Sequence, residues 1–124
     1  MARLGVNKEY LKKRNRGLVL QLIATGKCSS RIELAKELHL TKTAISAIVN
    51  ELIDQQYLKE TAVTTKAKLG RTPIKLEVSP KAPKYLGILF GRGCLEAAIC
   101  SLDLKIVAYE RVERDWDSPL SSMA

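Results

Sequence analysis

"ELAKELHLTKTAISAIVNEL", residues 33–52, sets one short helical pattern against another with only a tight joint between them. The second pattern decides the fold. Ile45, Ile48, Val49 and Leu52 recur at i, i+3, i+4 and i+7, which places them on one side of a helix. Lys42, Thr43, Ser46, Ala47 and Asn50 fall on the other side. A solvent-facing helix surface is ordinarily filled with Glu, Lys and Arg, which favour helix and cover apolar surface. Short residues there suit a backbone that must approach something closely. In a major groove a helix needs short side chains that reach base edges, and Asn can pair bidentately with adenine. The competing reading is an ordinary surface helix, and the two-helix frame weighs against it. The stretch therefore predicts a helix-turn-helix whose second helix reads double-stranded DNA.

Upstream, Ser30-Arg31-Ile32-Glu33 reads as a capping box, with the Ser30 hydroxyl accepting from the Glu33 amide and the Glu33 carboxylate reaching back to the Ser30 amide. The helix it opens is expected to bury Ile32, Leu34, Ala35 and Leu38. Leu40 packs in the joint, and Thr41 caps the reading helix, which runs to about Gln55. Earlier still, Leu11, Leu18, Val19, Leu22 and Ile23 recur at helical spacing from about Asn7 to Ala24, and Gly26 stops the pattern. Asn15 offers a second start, which would leave Lys12, Lys13 and Arg14 in a basic arm.

Downstream, residues 57–60 and 74–78 alternate like strands, and Pro73 suits the start of an edge strand. The polar stretch between them holds Lys66, Lys68, Gly70 and Arg71. Two strands behind a helix-turn-helix, joined by a basic tip, predict a wing whose cations follow phosphates or enter a narrow minor groove. Ser30, Arg31 and Thr41 are expected to orient on phosphates beside it. Residues 79–84 then form a two-proline hinge. Beyond it, residues 85–90, 94–101 and 106–110 are short β-rich runs separated by turn residues, a three-stranded antiparallel meander. The expected organisation is 1–79 as a winged helix-turn-helix domain, 80–84 as hinge and 85–124 as the second unit, an α+β chain.

Charge divides the same way. Residues 1–84 carry 17 Lys and Arg against 7 Asp and Glu, a balance of +10, whereas residues 85–124 carry 4 against 6, a balance of −2. A basic front suits a polyanionic partner. Cys28, Cys94 and Cys100 are odd in number and lack close spacing, so they read as buried small hydrophobes in a reducing compartment. Lone His39 has no ligand partners nearby. No metal, cofactor or catalytic group is expected. The N-terminus has charge but no apolar core, so it does not read as a signal peptide, and no apolar run approaches the ~18–20 residues needed to span a bilayer. A cytoplasmic protein with no membrane partner follows.

Four stretches together, "NRGLVLQLI", "SSRIELAKELHLTKTAISAIVNEL", "GRTPIKLEV" and "YLGILFGRGCLEAAICSLDLKIV", resemble the ROK family of bacterial sugar-responsive repressors and sugar kinases. The likeness runs from about Asn15 to Tyr109 and is to the family's repressor branch. The first three stretches look like its winged helix-turn-helix, with Gly70-Arg71 matching the Gly-Arg of the wing. The fourth looks like the opening hairpins of an actin-like ATPase-type, sugar-binding domain. Family members commonly have Gly where His39 stands and near Gln56, and often Arg at the position of Ala47. In members that bind ATP, an Asp-x-Gly-Gly-Thr-like turn grips phosphate and metal, and Leu89 stands at the Asp position here. Leucine offers no acceptor to magnesium, so phosphoryl transfer lacks a necessary part and the chain reads as no enzyme.

The resemblance implies a sequence-specific DNA-binding regulator, a repressor of carbohydrate genes, carrying the first fraction of an effector domain. It leaves the sugar effector unknown, since the residues that would hold one are not in this stretch. Three strands without covering helices are expected to expose apolar faces and an open edge. Pairing of two copies would cover such a face and present two reading helices to half-sites ~34 Å apart. A second class of function is an interaction protein that dimerises with a full-length homologue and modulates it.

Overall fold

The first helix begins at the earlier of its two starts. In the computed structural model, which describes residues 7–63 and 73–113, α1 spans Lys8–Ala24, and the Asn7 side chain accepts from the Tyr10 amide at 2.8 Å. Lys12, Lys13 and Arg14 therefore lie within a helix and form no separate arm. Its buried face is carried by Val19 and Ile23, with Leu11 left exposed near the start.

The capping box forms with both of its bonds and opens α2, Arg31–Leu38. Thr41 accepts from the Ala44 amide at 3.1 Å and opens α3, Lys42–Asp54. Leu34 is fully buried, with Ala35, Leu38 and Leu40 packed at the margin of the core. Ile32 corrects the expectation, being 60% exposed. It is the second residue of an eight-residue helix, and one short helix cannot turn both Ile32 and Leu34, two positions apart, toward the same core.

The helices α1, α2 and α3 each run into a residue with left-handed backbone: Gly26 (φ 76°), His39 (φ 53°) and Gln56 (φ 64°). After α2, the Leu40 amide donates to the Ala35 carbonyl and the His39 amide to Lys36; after α3, Tyr57 donates to Leu52 and Gln56 to Ile53. These paired bonds are the Schellman arrangement, which satisfies the last carbonyls of a helix and turns the chain sharply. They make the joints tight.

The strands β1, Leu58–Ala62, and β2, Ile74–Val78, pair antiparallel with Glu60 opposite Leu76. Leu58 and Leu76 point into the helices, joining Val19, Ile23, Cys28, Leu34, Ile45, Ile48, Val49 and Leu52 in one core. The Leu76 amide donates to the Ser29 carbonyl at 2.7 Å, tying β2 to the entry of α2.

The chain divides into two units between Ala82 and Pro83. In the second, β3 (Tyr85–Gly91), β4 (Cys94–Cys100) and β5 (Ile106–Glu113) form an antiparallel sheet in chain order, with an irregularity at Ile99/Cys100. The register places Leu86, Ile88, Phe90, Leu95, Ala97, Ile99, Ala108 and Val112 on one face. That face is open, with Phe90 72% exposed. On the other, Glu96 accepts from Tyr109 Oη at 2.8 Å and from Arg111 at 3.0 Å. Leu89 lies opposite Glu96 on this second face and is exposed. Among the described residues the architecture is α+β, a three-helix and two-strand winged unit followed by a three-stranded meander. All three thiols are free, but Cys28 alone of them is buried; Cys94 and Cys100 are half-buried, because the meander has little to cover them.

Candidate nucleic-acid interface

The helix pair holds α3 by its aliphatic stripe. Ile45, Ile48, Val49 and Leu52 are all buried, while Lys42, Thr43, Ala47 and Asn50 are exposed and Ser46 is half-buried. Charge and size differ sharply between the two sides. The outer side carries one ammonium, two hydroxyls, one carboxamide and a methyl group, so the backbone can approach a ligand surface closely.

Two hydroxyls stand at helix entries. Ser30 Oγ accepts from the Glu33 amide at 3.2 Å, and Thr41 Oγ1 accepts from the Ala44 amide. A hydroxyl that accepts can also donate its hydrogen to an anionic oxygen, and a helix N-terminus favours negative charge. The Glu33 carboxylate is held below its ordinary range, chiefly by the Ser29 amide at 2.6 Å and further by the Ser29 hydroxyl and the Ser30 amide.

Arg31 is not turned freely to solvent. Its Nη1 meets the Glu60 carboxylate on β1, and its Nη2 donates to Asn50 Oδ1 at 3.0 Å. One guanidinium thus joins α2, α3 and β1. Glu60 escaped the sequence reading, since nothing local relates an acidic strand residue to an arginine 29 positions earlier. A second carboxylate, Glu51 of α3, accepts from Arg16 at 2.8 Å and pairs with Lys12 at 3.4 Å, fastening α1 to α3. Lys66, Lys68 and Arg71, expected at the tip of the wing, lie outside the described residues.

Among the described residues no cluster of three His, Cys, Asp or Glu could hold a metal ion. No described helix is long and apolar enough to cross a membrane.

No protein-family model matches the chain. It is similar to the xylose repressor of Lactiplantibacillus pentosus, 29% identical over 114 residues, which is 91% of this chain and 29% of that protein. It is also similar to the xylose repressor of Caldicellulosiruptor bescii, 35% identical over 85 residues, 68% of this chain and 21% of that protein. Among solved structures, a ROK family transcriptional regulator described as a homologue of the E. coli MLC protein matches with a TM-score of 0.59 and 31% identity, over 84% of this chain and 26% of that one. The chain spans between about a fifth and a third of the length of these relatives. Agreement of the sequence with two xylose repressors, and of 84% of the chain with the structure of a ROK family transcriptional regulator, makes this a ROK-family, repressor-like chain.

Proposed function

We propose that the chain is the DNA-binding part of a transcriptional regulator, a repressor of carbohydrate genes, and not an enzyme. The observation that carries this reading is the division of α3. Ile45, Ile48, Val49 and Leu52 are buried, Ile53 is half-buried near its end, and beside Lys42 the exposed Thr43, Ala47 and Asn50 and half-buried Ser46 are short. Lys42, Thr43, Ser46 and Asn50 face base edges, and Ala47 leaves room for the groove wall. Ser30 and Thr41 set the register on phosphates, and Lys66, Lys68 and Arg71 add charge from the wing. The names of the similar proteins, both xylose repressors, support the carbohydrate assignment.

Selection of bound sites from random duplexes, followed by gel-shift titration, tests the reading. With about six phosphates neutralised, affinity falls roughly a thousandfold between 50 and 200 mM salt. Asn50→Ala costs ~1–3 kcal/mol and relaxes one base position, whereas Lys68→Ala weakens all sequences alike. If neither substitution changes binding, α3 is not the reading helix.

A second reading has its own support in the open apolar face around Leu86, Ile88 and Phe90. Such a surface favours association, with a second copy or with a longer relative whose output it would alter. Sedimentation as a monomer that retains no longer relative on purification would remove both forms of association.

A further inference from the structure

We infer that Arg31 is a positioning residue for base reading: anchored by Glu60, its guanidinium holds the Asn50 carboxamide in one donor–acceptor order. The inference rests on α3 being the reading helix. It assigns Arg31 a different role from the phosphate contact that its place beside the Ser30 cap suggests.

The chemistry of the three groups sets the order. Arginine has donors and no acceptor, so the carboxamide it meets at 3.0 Å must present Oδ1 to it. A carboxamide free to turn about its last bond exchanges oxygen and nitrogen, and with them the pattern shown to a base. With the turn prevented, one pattern remains. Oδ1 has two lone pairs, of which Arg31 takes one. The other can accept from adenine N6 while Nδ2 donates to N7, the bidentate match that distinguishes adenine in the major groove. Among the described residues, the bond from Arg31 is the one side-chain hydrogen bond of Asn50, and Nδ2 makes none.

Glu60 makes the arrangement durable. It occupies Nη1 of the same guanidinium from β1, so the arginine is fixed at one nitrogen and acts through the other. The carboxylate also neutralises the charge. An arginine balanced in this way releases no counterion from DNA, whereas each phosphate neutralised steepens the dependence of log affinity on log salt by about 0.9. Positioning and phosphate contact therefore predict different salt behaviour, and the two can be told apart.

The test uses the full chain in competition gel shifts, with the selected duplex, its single-base variants and a non-specific duplex, at several salt concentrations. Arg31→Ala and Arg31→Lys are both expected to lose on the order of tenfold in discrimination at the base pair where Asn50→Ala loses it. Their salt slopes and non-specific affinities stay at the wild-type values, and Arg31→Ala adds nothing to Asn50→Ala. Glu60→Gln frees the guanidinium for a phosphate and steepens the slope by about one. Should Arg31→Ala fail to fold, the lysine variant, which keeps length and charge, and Glu60→Gln carry the test. The inference is overturned if Arg31→Ala weakens all duplexes alike with a slope lower by about one and lysine restores both. It is also overturned if Glu60→Gln leaves slope and discrimination unchanged. If Asn50→Ala discriminates as the wild type does, the assignment of α3 itself has failed, a result distinct from either.

Discussion

Ser30 and Glu33 satisfy each other's backbone amides across the first turn of α2, at 3.2 Å in one direction and 3.1 Å in the other. The Ser30 hydroxyl replaces a carbonyl that the helix cannot supply at its start. Ser30→Ala should lower the unfolding free energy by about 1 kcal/mol, read as a shift in urea midpoint at unchanged slope.

The Glu33 carboxylate gives the same turn a pH dependence. Its folded-state pKa is depressed, first by the Ser29 amide, so its contribution is present above the unfolded-state value and is lost as pH falls through the folded-state value. Glu33→Gln should therefore be less stable than the wild type at neutral pH. The two unfolding curves should converge in acid, below the ordinary carboxylate range. A constant gap at all pH values would assign the loss to something other than the carboxylate.

His39 and Gln56 hold left-handed backbone at the ends of α2 and α3, where a side chain crowds its own carbonyl. Glycine, common near these places in the family the chain resembles, has no such crowding. Gln56→Gly should stabilise by about 1 kcal/mol and His39→Gly by less, because His tolerates this region better than most residues. Gln56→Val should destabilise. Chemical denaturation of the three variants checks both signs.

Ile45 and Ile32 separate burial from composition. Ile45 is fully buried in the core, whereas Ile32 is mostly exposed on α2. Ile45→Ala should cost roughly 2–5 kcal/mol. Ile32→Ala should stay within about 0.5 kcal/mol of wild type. Equal losses would mean that α2 packs differently.

Ala47 tests the outer side of α3 without disturbing its inner side. Glutamate favours helix and the position is exposed, so Ala47→Glu should fold with wild-type stability. In a groove it would bring bulk and negative charge against phosphates, lowering DNA affinity by at least about tenfold. Unchanged binding would show that this side meets no duplex.

The secondary elements of this protein could be read from its sequence because each rests on a local regularity. The stripe Ile45, Ile48, Val49 and Leu52, the Ser30–Glu33 cap and the Thr41 cap reappear as written, and residues 74–78 form a strand, though only Leu76 of its apolar residues is buried and Ile74 is exposed. The two starts offered for α1 were separated by the Asn7 cap, which needed coordinates because Asn7 and Asn15 are chemically alike. Ile32 was misjudged because an apolar residue on a short helix says nothing by itself about which side meets the core.

Tertiary structure alone decided the company kept by the outer face. Arg31 lies 19 residues from Asn50 and 29 from Glu60, and periodicity along one helix carries no information across such distances. They meet because Leu58, Leu76 and the α3 stripe share one core, which brings β1 beside the helix pair. Sequence determined which side of α3 is free to meet a ligand, through the spacing of its aliphatic residues. Packing of separate elements determined which of the free groups are already paired, and so which remain to bind.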